Sequence, residues 1–283
     1  MSLLDPREPV SAWSHACGLI MSLAVTWLFW KLSRNRRARD AHPTPTLYET
    51  GKFVGLLIFG FSLVFCYGAS TLYHAAWTTG DSLNKLREID HVGIYLLIAG
   101  SYTPAAWSLL KGPWRRGTLA TVWGTAAVCV LRVWLGGTLP SWVSTSIYLC
   151  MGWGVVFCYR ELARDLGHRT LLPLPVGGVF YSVGAIINLA GWPVLVPGFL
   201  GAHDLFHFFV IAGSASHVIF MVRAVIPADQ PDGWRDRPDL SSAVPPPHLA
   251  SLVPGSLVLH QPMRAAALAN DQGQQHAAQR QDH

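Results

Sequence analysis

Seven apolar runs, each close to the length of a membrane-crossing helix, dominate the sequence. About twenty consecutive apolar residues cross the hydrocarbon core of a bilayer as an α-helix. Inside a bilayer every backbone polar group needs a partner, and a helix supplies these partners within a single segment, so the runs predict an all-α membrane protein built as a seven-helix bundle. The predicted spans are Val10–Trp30, Phe53–Trp77, His91–Leu110, Thr118–Leu135, Trp142–Tyr159, Leu171–Trp192 and Leu200–Ile226.

Charge and cysteine content agree with this class of protein. Only 13% of the residues are charged, whereas soluble domains carry about a quarter. Membrane lipids are therefore the expected partners, and the basic residues indicate topology and not a nucleic-acid ligand. We expect no disulfide, because the cysteines lie in apolar runs without C-x-x-C spacing. They are Cys17, Cys66, Cys129, Cys150 and Cys158.

The character of the chain changes after Pro227. Residues 1–227 contain all seven spans and form the predicted transmembrane domain. Residues 228–283 include Pro245-Pro246-Pro247 and end in a stretch rich in Gln and His. Such a composition cannot bury a core, so we predict a disordered C-terminal tail.

Because consecutive spans cross the membrane in opposite directions, many polar residues are predicted at the same membrane face. The N-terminus and the loops after spans 2, 4 and 6 must share that face. Chance would scatter the polar groups over both faces, so their grouping predicts one site assembled from four helices. They are Glu8, Ser11 and His15 in the first span region, Ser70 and His74 in the second, Asp90 at the third, and His203, Asp204 and His207 in the seventh.

Three of these residues predict a metal site. His203 and His207 are four residues apart and present both rings on one helix face, although such a pair alone is as consistent with ordinary hydrogen bonding. His74 adds a third nitrogen, and three ligands leave the fourth tetrahedral position of a catalytic Zn²⁺ open. Bound Zn²⁺ lowers the pKa of water to about 7. Asp90 is the candidate to orient that water and take its proton, and Ser70 lies one turn before His74 on the same face.

The roles of several other polar residues remain open at this stage or lie outside the predicted metal site. Glu8, Ser11 and His15 follow one helix face, and either support the metal ligands or cap the helix entry. Asp204 either holds an imidazole nitrogen or faces the headgroups. His217 lies roughly 280° around the helix and about 15 Å further in than His207, which predicts a hydrogen bond inside the bundle and not metal ligation.

The loop charges predict the orientation of the bundle. The loops after spans 1, 3 and 5 are much more basic than those on the opposite face. By the positive-inside rule, the N-terminus and the polar site lie outside and the C-terminal tail lies in the cytoplasm. The basic residues are Lys31, Arg34, Arg36, Arg37, Arg39, Lys52, Lys111, Arg115, Arg116, Arg160, Arg164 and Arg169, against Arg7, Lys85 and Arg87 on the other face.

Several of the same residues form motifs that resemble a known family. The motifs are Glu8 with Ser14-His15, Ser70-x-x-x-His74, the string from Asp90-His91 to Thr103-Pro104, Tyr148-x-x-Met151-Gly152-Trp153, and His203-Asp204-x-x-His207 followed by Ala212-Gly213-Ser214-Ala215-x-His217. Together they resemble the PAQR (progestin and adipoQ receptor)/haemolysin III family, and its bacterial haemolysin III branch most of all. Alkaline ceramidases are similar in their site.

This resemblance implies a set of properties. They are seven helices, zinc on His74, His203 and His207, a water held by Asp90 with Ser70 nearby, a role in membrane-lipid homeostasis, and a place in the bacterial plasma membrane. Adiponectin receptors hold the N-terminus and the zinc on the cytoplasmic side, which is the reverse of the orientation that the loop charges predict here.

Three functions follow as hypotheses. The leading one is a zinc-dependent hydrolase of a lipid amide or ester that enters sideways from the bilayer. The second is a non-enzymatic receptor or sensor with structural zinc. The third is a pore-forming cytolysin, for which polar residues at every depth would be expected.

Overall fold

The fold is a bundle of seven long helices, as the sequence predicts. The computed structural model describes residues 6–39 and 46–230. In these ranges the regular structure is helical, apart from an isolated β-bridge between Val196 and Leu200. The seven helices long and apolar enough to cross a membrane are α1 (Pro9–Arg39), α2 (Leu47–Ala75), α3 (Gly80–Leu109), α4 (Gly112–Gly136), α5 (Ser141–Asp165), α6 (His168–Ala190) and α7 (Ala202–Val225).

Three of the spans are interrupted. α5 consists of Ser141–Trp153 and Val155–Asp165, with Gly154 between them. α6 begins with the short segment His168–Leu171 and continues as Pro173–Ala190. Proline lacks the N–H that would continue the hydrogen-bond ladder, so Pro173 starts the second segment. The last turn of α7, Met221–Val225, is a π-helix.

The helix contacts form a closed ring. α2 packs against α1 and α3, α3 also packs against α4 and α5, α5 against α6, and α6 against α7. α1 and α7 are in contact, which closes the ring between the first and the last span. At Gly93 a Cβ would lie 3.0 Å from the Cα of Cys66, so the absence of a side chain allows α2 and α3 to approach closely.

Several helices extend beyond their predicted bounds. α3 begins at Gly80 and not at His91, so Asp90 lies inside the helix and not at its entry. The additional turns are polar, and Lys85 Nζ donates to Glu88 Oε2 at 2.7 Å. A prediction based on the length of apolar runs does not include such polar turns. α1 likewise continues past Trp30, where Lys31 and Arg34 lie over tryptophan rings.

The start of the described chain crosses the end of α2. The backbone N–H of Glu8 donates to the His74 carbonyl at 3.0 Å, and the Arg7 guanidinium donates to the Tyr73 carbonyl at 3.0 Å. The Ser11 hydroxyl donates to Asp204 Oδ1 at 2.7 Å. These bonds bring the beginnings of α1 and α7 against the end of α2, where the histidines lie. The predicted tail falls mostly on residues 231–283, which are outside the described residues.

Candidate metal centre

Three histidines from two helices direct their Nε2 atoms at one another. His74 stands at the end of α2, and His203 and His207 stand in the first two turns of α7. His203 Nε2 lies 3.3 Å from His74 Nε2 and 3.1 Å from His207 Nε2. Two ligand nitrogens about 2.0–2.1 Å from one tetrahedral metal are about 3.3 Å apart. The three side chains are therefore spaced as ligands of a single ion, and their ligand atoms all lie within 4.8 Å of one another.

The Nδ1 atom of each imidazole has an acceptor beside it. His74 Nδ1 lies 2.5 Å from Glu8 Oε2, and His203 Nδ1 lies 3.0 Å from Asn188 Oδ1. His207 Nδ1 lies 3.5 Å from the Ser14 hydroxyl oxygen.

These partners determine which ring nitrogens carry protons. A carboxylate and an amide oxygen can only accept, so His74 and His203 donate from Nδ1. The Ser14 hydroxyl donates its own proton to the Ser11 carbonyl at 3.0 Å, so it accepts from His207. All three neutral rings then present Nε2 lone pairs to the same point. Such an arrangement is favourable only around a cation, and the residues present fit a metal ion.

Glu8 supplies the carboxylate that accepts a hydrogen bond from His74. The hydrogen bond from His74 holds the pKa of Glu8 below its ordinary value, in spite of partial burial that acts in the opposite direction. Arg7 lies 3.1 Å from the other carboxylate oxygen and adds to the same effect. A carboxylate–histidine pair of this kind fixes ring orientation and makes the ligand nitrogen more basic.

Ser70 and Asp90 lie together next to the three histidines. Ser70 is buried one turn before His74 on α2, and its hydroxyl is hydrogen-bonded to the Asp90 carboxylate from α3. Asp90 is near enough to His74 to interact with it electrostatically. The structure thus brings all five predicted site residues to one end of the bundle.

A deep cavity of about 250 Å³ begins at these residues. Its walls carry Ser70, Asp90, His203 and His207 at one end, and Leu110, Leu162 and Met221 at the other. The stripe that α3 contributes runs from Asp90 to Ala106, and sixteen residues of helical rise extend about 24 Å. Most of the lining is apolar, so the cavity suits a hydrocarbon chain with a polar head at the histidines.

The structure resolves most of the open alternatives. Glu8 accepts a hydrogen bond from His74, one of the three clustered histidines, and Ser11 bonds to Asp204. Asp204 caps α7, because its Oδ2 accepts from the Gly201 N–H at 2.9 Å, and its Oδ1 accepts from the Ser11 hydroxyl. His217 lies deep in the cavity wall against the ring of Tyr181, with ring centroids 5.4 Å apart, and is not one of the clustered histidines.

Sequence reasoning missed the partners of the two histidines in α7. Asn188 in α6 orients His203, and the hydroxyl of Ser14 in α1 lies beside His207. An amide in an otherwise apolar span needs a polar partner, and this signal was available for Asn188. Serine gives no such signal, because its hydroxyl can bond to its own helix backbone.

Comparison with known proteins identifies one family and related sequences over most of the chain. The sequence model of a family described as "Haemolysin-III related" matches residues 5–218. The chain is 35% identical over 212 residues to "Hemolysin-3 homolog" of Bacillus subtilis (strain 168), covering 74% of this chain and 90% of that protein. It is 34% identical over 231 residues to "Hemolysin-3" of Bacillus cereus, covering 80% and 95% respectively.

Proposed function

Because the chain belongs to the haemolysin III family of multi-pass membrane proteins, we propose that its histidine cluster binds zinc and supports hydrolysis of an amide or ester of a membrane lipid. The observation that carries the proposal is the position of the cluster. Three imidazoles with converging Nε2 atoms and the Asp90 carboxylate stand at the head of a long apolar cavity.

Zinc is the metal that this donor set favours. Imidazole nitrogens also suit copper, iron and nickel, but three histidines with one open position are typical of catalytic zinc. His74, His203 and His207 would hold the ion. When bound, it would supply a Lewis acid and an acidified water for hydrolysis.

The remaining site residues have roles that follow from their contacts. Asp90 faces the cavity and is the group that takes a proton at its carboxylate oxygen. Ser70 positions that carboxylate through its hydroxyl, and burial keeps the Ser70 side chain fixed. Glu8, Ser14 and Asn188 hold the three imidazoles in the orientation that the cluster needs.

The cavity walls support a lipid substrate that enters from the side. Gly152 and Trp153 of α5 line the cavity and are also exposed on the outside of the bundle. Trp153 Nε1 donates to Ser182 Oγ of α6 at 2.9 Å, so this bond crosses the seam between the two helices. The hydrocarbon chain of a lipid that passes between α5 and α6 would enter the cavity directly from the bilayer.

The loop charges support one orientation of the protein. We place the N-terminus and the histidines at the outer face of a bacterial plasma membrane and the C-terminal tail in the cytoplasm. The substrate would then come from the outer leaflet, and turnover would adjust its lipid composition, which is a role in membrane-lipid homeostasis.

The experiment uses the full-length protein purified in detergent. Zinc content and hydrolysis of a fluorescent ceramide and a fluorescent phospholipid ester are measured on wild type, Asp90→Asn and the double variant His203→Ala/His207→Ala. We expect about one zinc per chain in wild type and Asp90→Asn, product from wild type alone, and no zinc in the double variant. Stoichiometric zinc that survives in the double variant would overturn the site assignment.

A receptor or sensor with structural zinc is the second candidate. The observation in its favour is that the cluster and its hydrogen bonds join four helices, α1, α2, α6 and α7. A sensor predicts that Asp90→Asn leaves cellular lipid composition unchanged while zinc stays bound. The relatives are named as hemolysins, which suggests a pore-forming cytolysin as a third candidate. A cytolysin predicts that the pure protein produces conductance in a planar bilayer.

A further inference from the structure

Residues 191–201, the α6–α7 loop, connect the end of α6 to the start of α7 and are apolar. The loop contains no charged residue and no side chain with a hydroxyl or an amide. Five of its large side chains are between 47% and 73% exposed, and they are Trp192, Val194, Leu195, Val196 and Phe199. Contact with water is unfavourable for so many apolar side chains on one short loop, which indicates that something other than water covers them.

The loop continues a surface that faces lipid. α6 is one of the seven spans, and Val183, Ile186 and Leu189 are exposed along its outer side at helical spacing. On a membrane-spanning helix such apolar side chains contact the hydrocarbon of the bilayer. Trp192 follows Leu189 by three residues and is the most exposed of the large side chains in the loop. The lipid-facing surface of α6 therefore runs into the loop, and no polar side chain other than the tryptophan N–H interrupts it between Leu189 and Phe199.

The backbone of the loop forms hydrogen bonds within the loop itself. The N–H groups of Leu195 and Val196 donate to the Leu200 carbonyl at 2.9 and 3.0 Å. The N–H groups of Phe199 and Leu200 donate to the Val196 carbonyl at 3.0 and 2.8 Å. The two prolines of the loop have no N–H that needs an acceptor. Lipid hydrocarbon offers no partner to a backbone polar group, so internal pairing of this kind suits a segment that enters the bilayer.

The start of α3 provides a contrast at the same membrane face. The α6–α7 loop and the start of α3 share this face, because each follows an even-numbered span. Asp81, Lys85 and Arg87 are exposed in the first turns of α3, and exposed charged side chains of this kind remain in water. One side of the face therefore suits water, and the side formed by the loop suits lipid.

We propose that the α6–α7 loop is inserted into the bilayer at the boundary between headgroups and hydrocarbon, where phospholipids contact it directly. Trp192 suits this depth, because a tryptophan ring is apolar and its N–H can bond to the headgroups. His203 is exposed and lies two residues after the loop, so lipid lies beside the open edge of the histidine cluster. The inference needs only the membrane-spanning bundle and is independent of zinc and of hydrolysis.

The test uses the full-length protein in nanodiscs of phosphatidylcholine and phosphatidylglycerol. The two exposed cysteines are removed by Cys17→Ser and Cys150→Ser, and a nitroxide spin label is attached at Phe199→Cys. Collisions of the label with oxygen and with a water-soluble nickel chelate are measured, because oxygen concentrates in hydrocarbon and a polar chelate stays in water. We expect the ratio of oxygen to nickel collisions to be about fivefold or more higher for Phe199→Cys than for Asp81→Cys at the start of α3.

Ile186→Cys, on the lipid-facing side of α6, is the positive control and should also give a high ratio. A ratio for Phe199→Cys as low as that for Asp81→Cys overturns the inference, because the loop would then lie in water. Low collision rates with both reagents overturn it as well, since protein, such as a second copy of the chain, would then cover the loop. If Phe199→Cys does not fold, Val194→Cys takes its place.

Discussion

Glu8 Oε2 lies 2.5 Å from His74 Nδ1, although the two residues are 66 positions apart in the chain. The contact joins the segment before α1 to the last turn of α2, and it leaves His74 Nε2 directed at His203 and away from the carboxylate. We expect Glu8→Gln to lower zinc affinity 10- to 100-fold, because an outer carboxylate sets the orientation and basicity of its histidine. Competition with a chelator of known affinity measures the zinc affinity of wild type and variant. Glu88→Gln is the control, because Glu88 pairs with Lys85, and it should leave zinc affinity unchanged.

A second prediction concerns Asn188, which accepts a hydrogen bond from His203. Asn188→Leu removes the acceptor of His203 Nδ1 and allows the ring to turn and to change tautomer. We expect a loss of zinc affinity of about tenfold or more. Ile186→Ala, on an exposed position of the same helix, serves as control. If zinc affinity is unchanged in Asn188→Leu, the amide does not orient the ligand.

Zinc binding should weaken on acidification. Imidazoles bind a metal only when unprotonated, and an unperturbed histidine has a pKa of about 6.5. The lowered pKa of Glu8 stabilises its charged form, so its contribution is complete above its ordinary value of 4.5 and is lost only as the pH falls through the lowered pKa. A loss of zinc at pH values above 4.5 therefore reports protonation of the histidines and not of Glu8. Zinc titrations at a series of pH values should show the affinity of wild type falling with pH, and Glu8→Gln should bind zinc more weakly than wild type at each pH.

The close contact of α2 and α3 predicts a loss of stability in Gly93→Val. A side chain there meets the Cα of Cys66, so α2 and α3 must move apart. We expect the free energy of unfolding to fall by about 2 kcal/mol. Thermal unfolding in detergent provides the measurement. Gly124→Val on α4 is the control, because a Cβ at Gly124 has no heavy atom within 4 Å.

The orientation can be tested with topology reporters. A reporter active only in the cytoplasm should be active when fused after Pro227, and one active only outside should be silent there. The physical reason is the excess of Lys and Arg at the membrane face where α1, α3 and α5 end. Activity of the external reporter at that position would contradict the orientation and place the histidines at the inner leaflet.

The sequence predicted the bundle well because apolar length is a strong signal in a bilayer. It located His74, His203 and His207 at one face through parity alone. It missed the start of α3, and so the depth of Asp90, because the first turns of that helix are polar. It could not choose roles for Glu8 and Asp204, since both are acidic residues next to a helix entry and only the packing shows which one meets an imidazole.

The closure of the ring between α1 and α7 has a consequence for biosynthesis. Ribosomes deliver α7 last, and two of the three clustered histidines are on that helix, while Glu8 and His74 enter the membrane first. The cluster can form only after every span has been inserted and the last has docked on the first, through bonds such as the one from Ser11 to Asp204. A nascent chain that stalls before α7 can assemble no site of this kind.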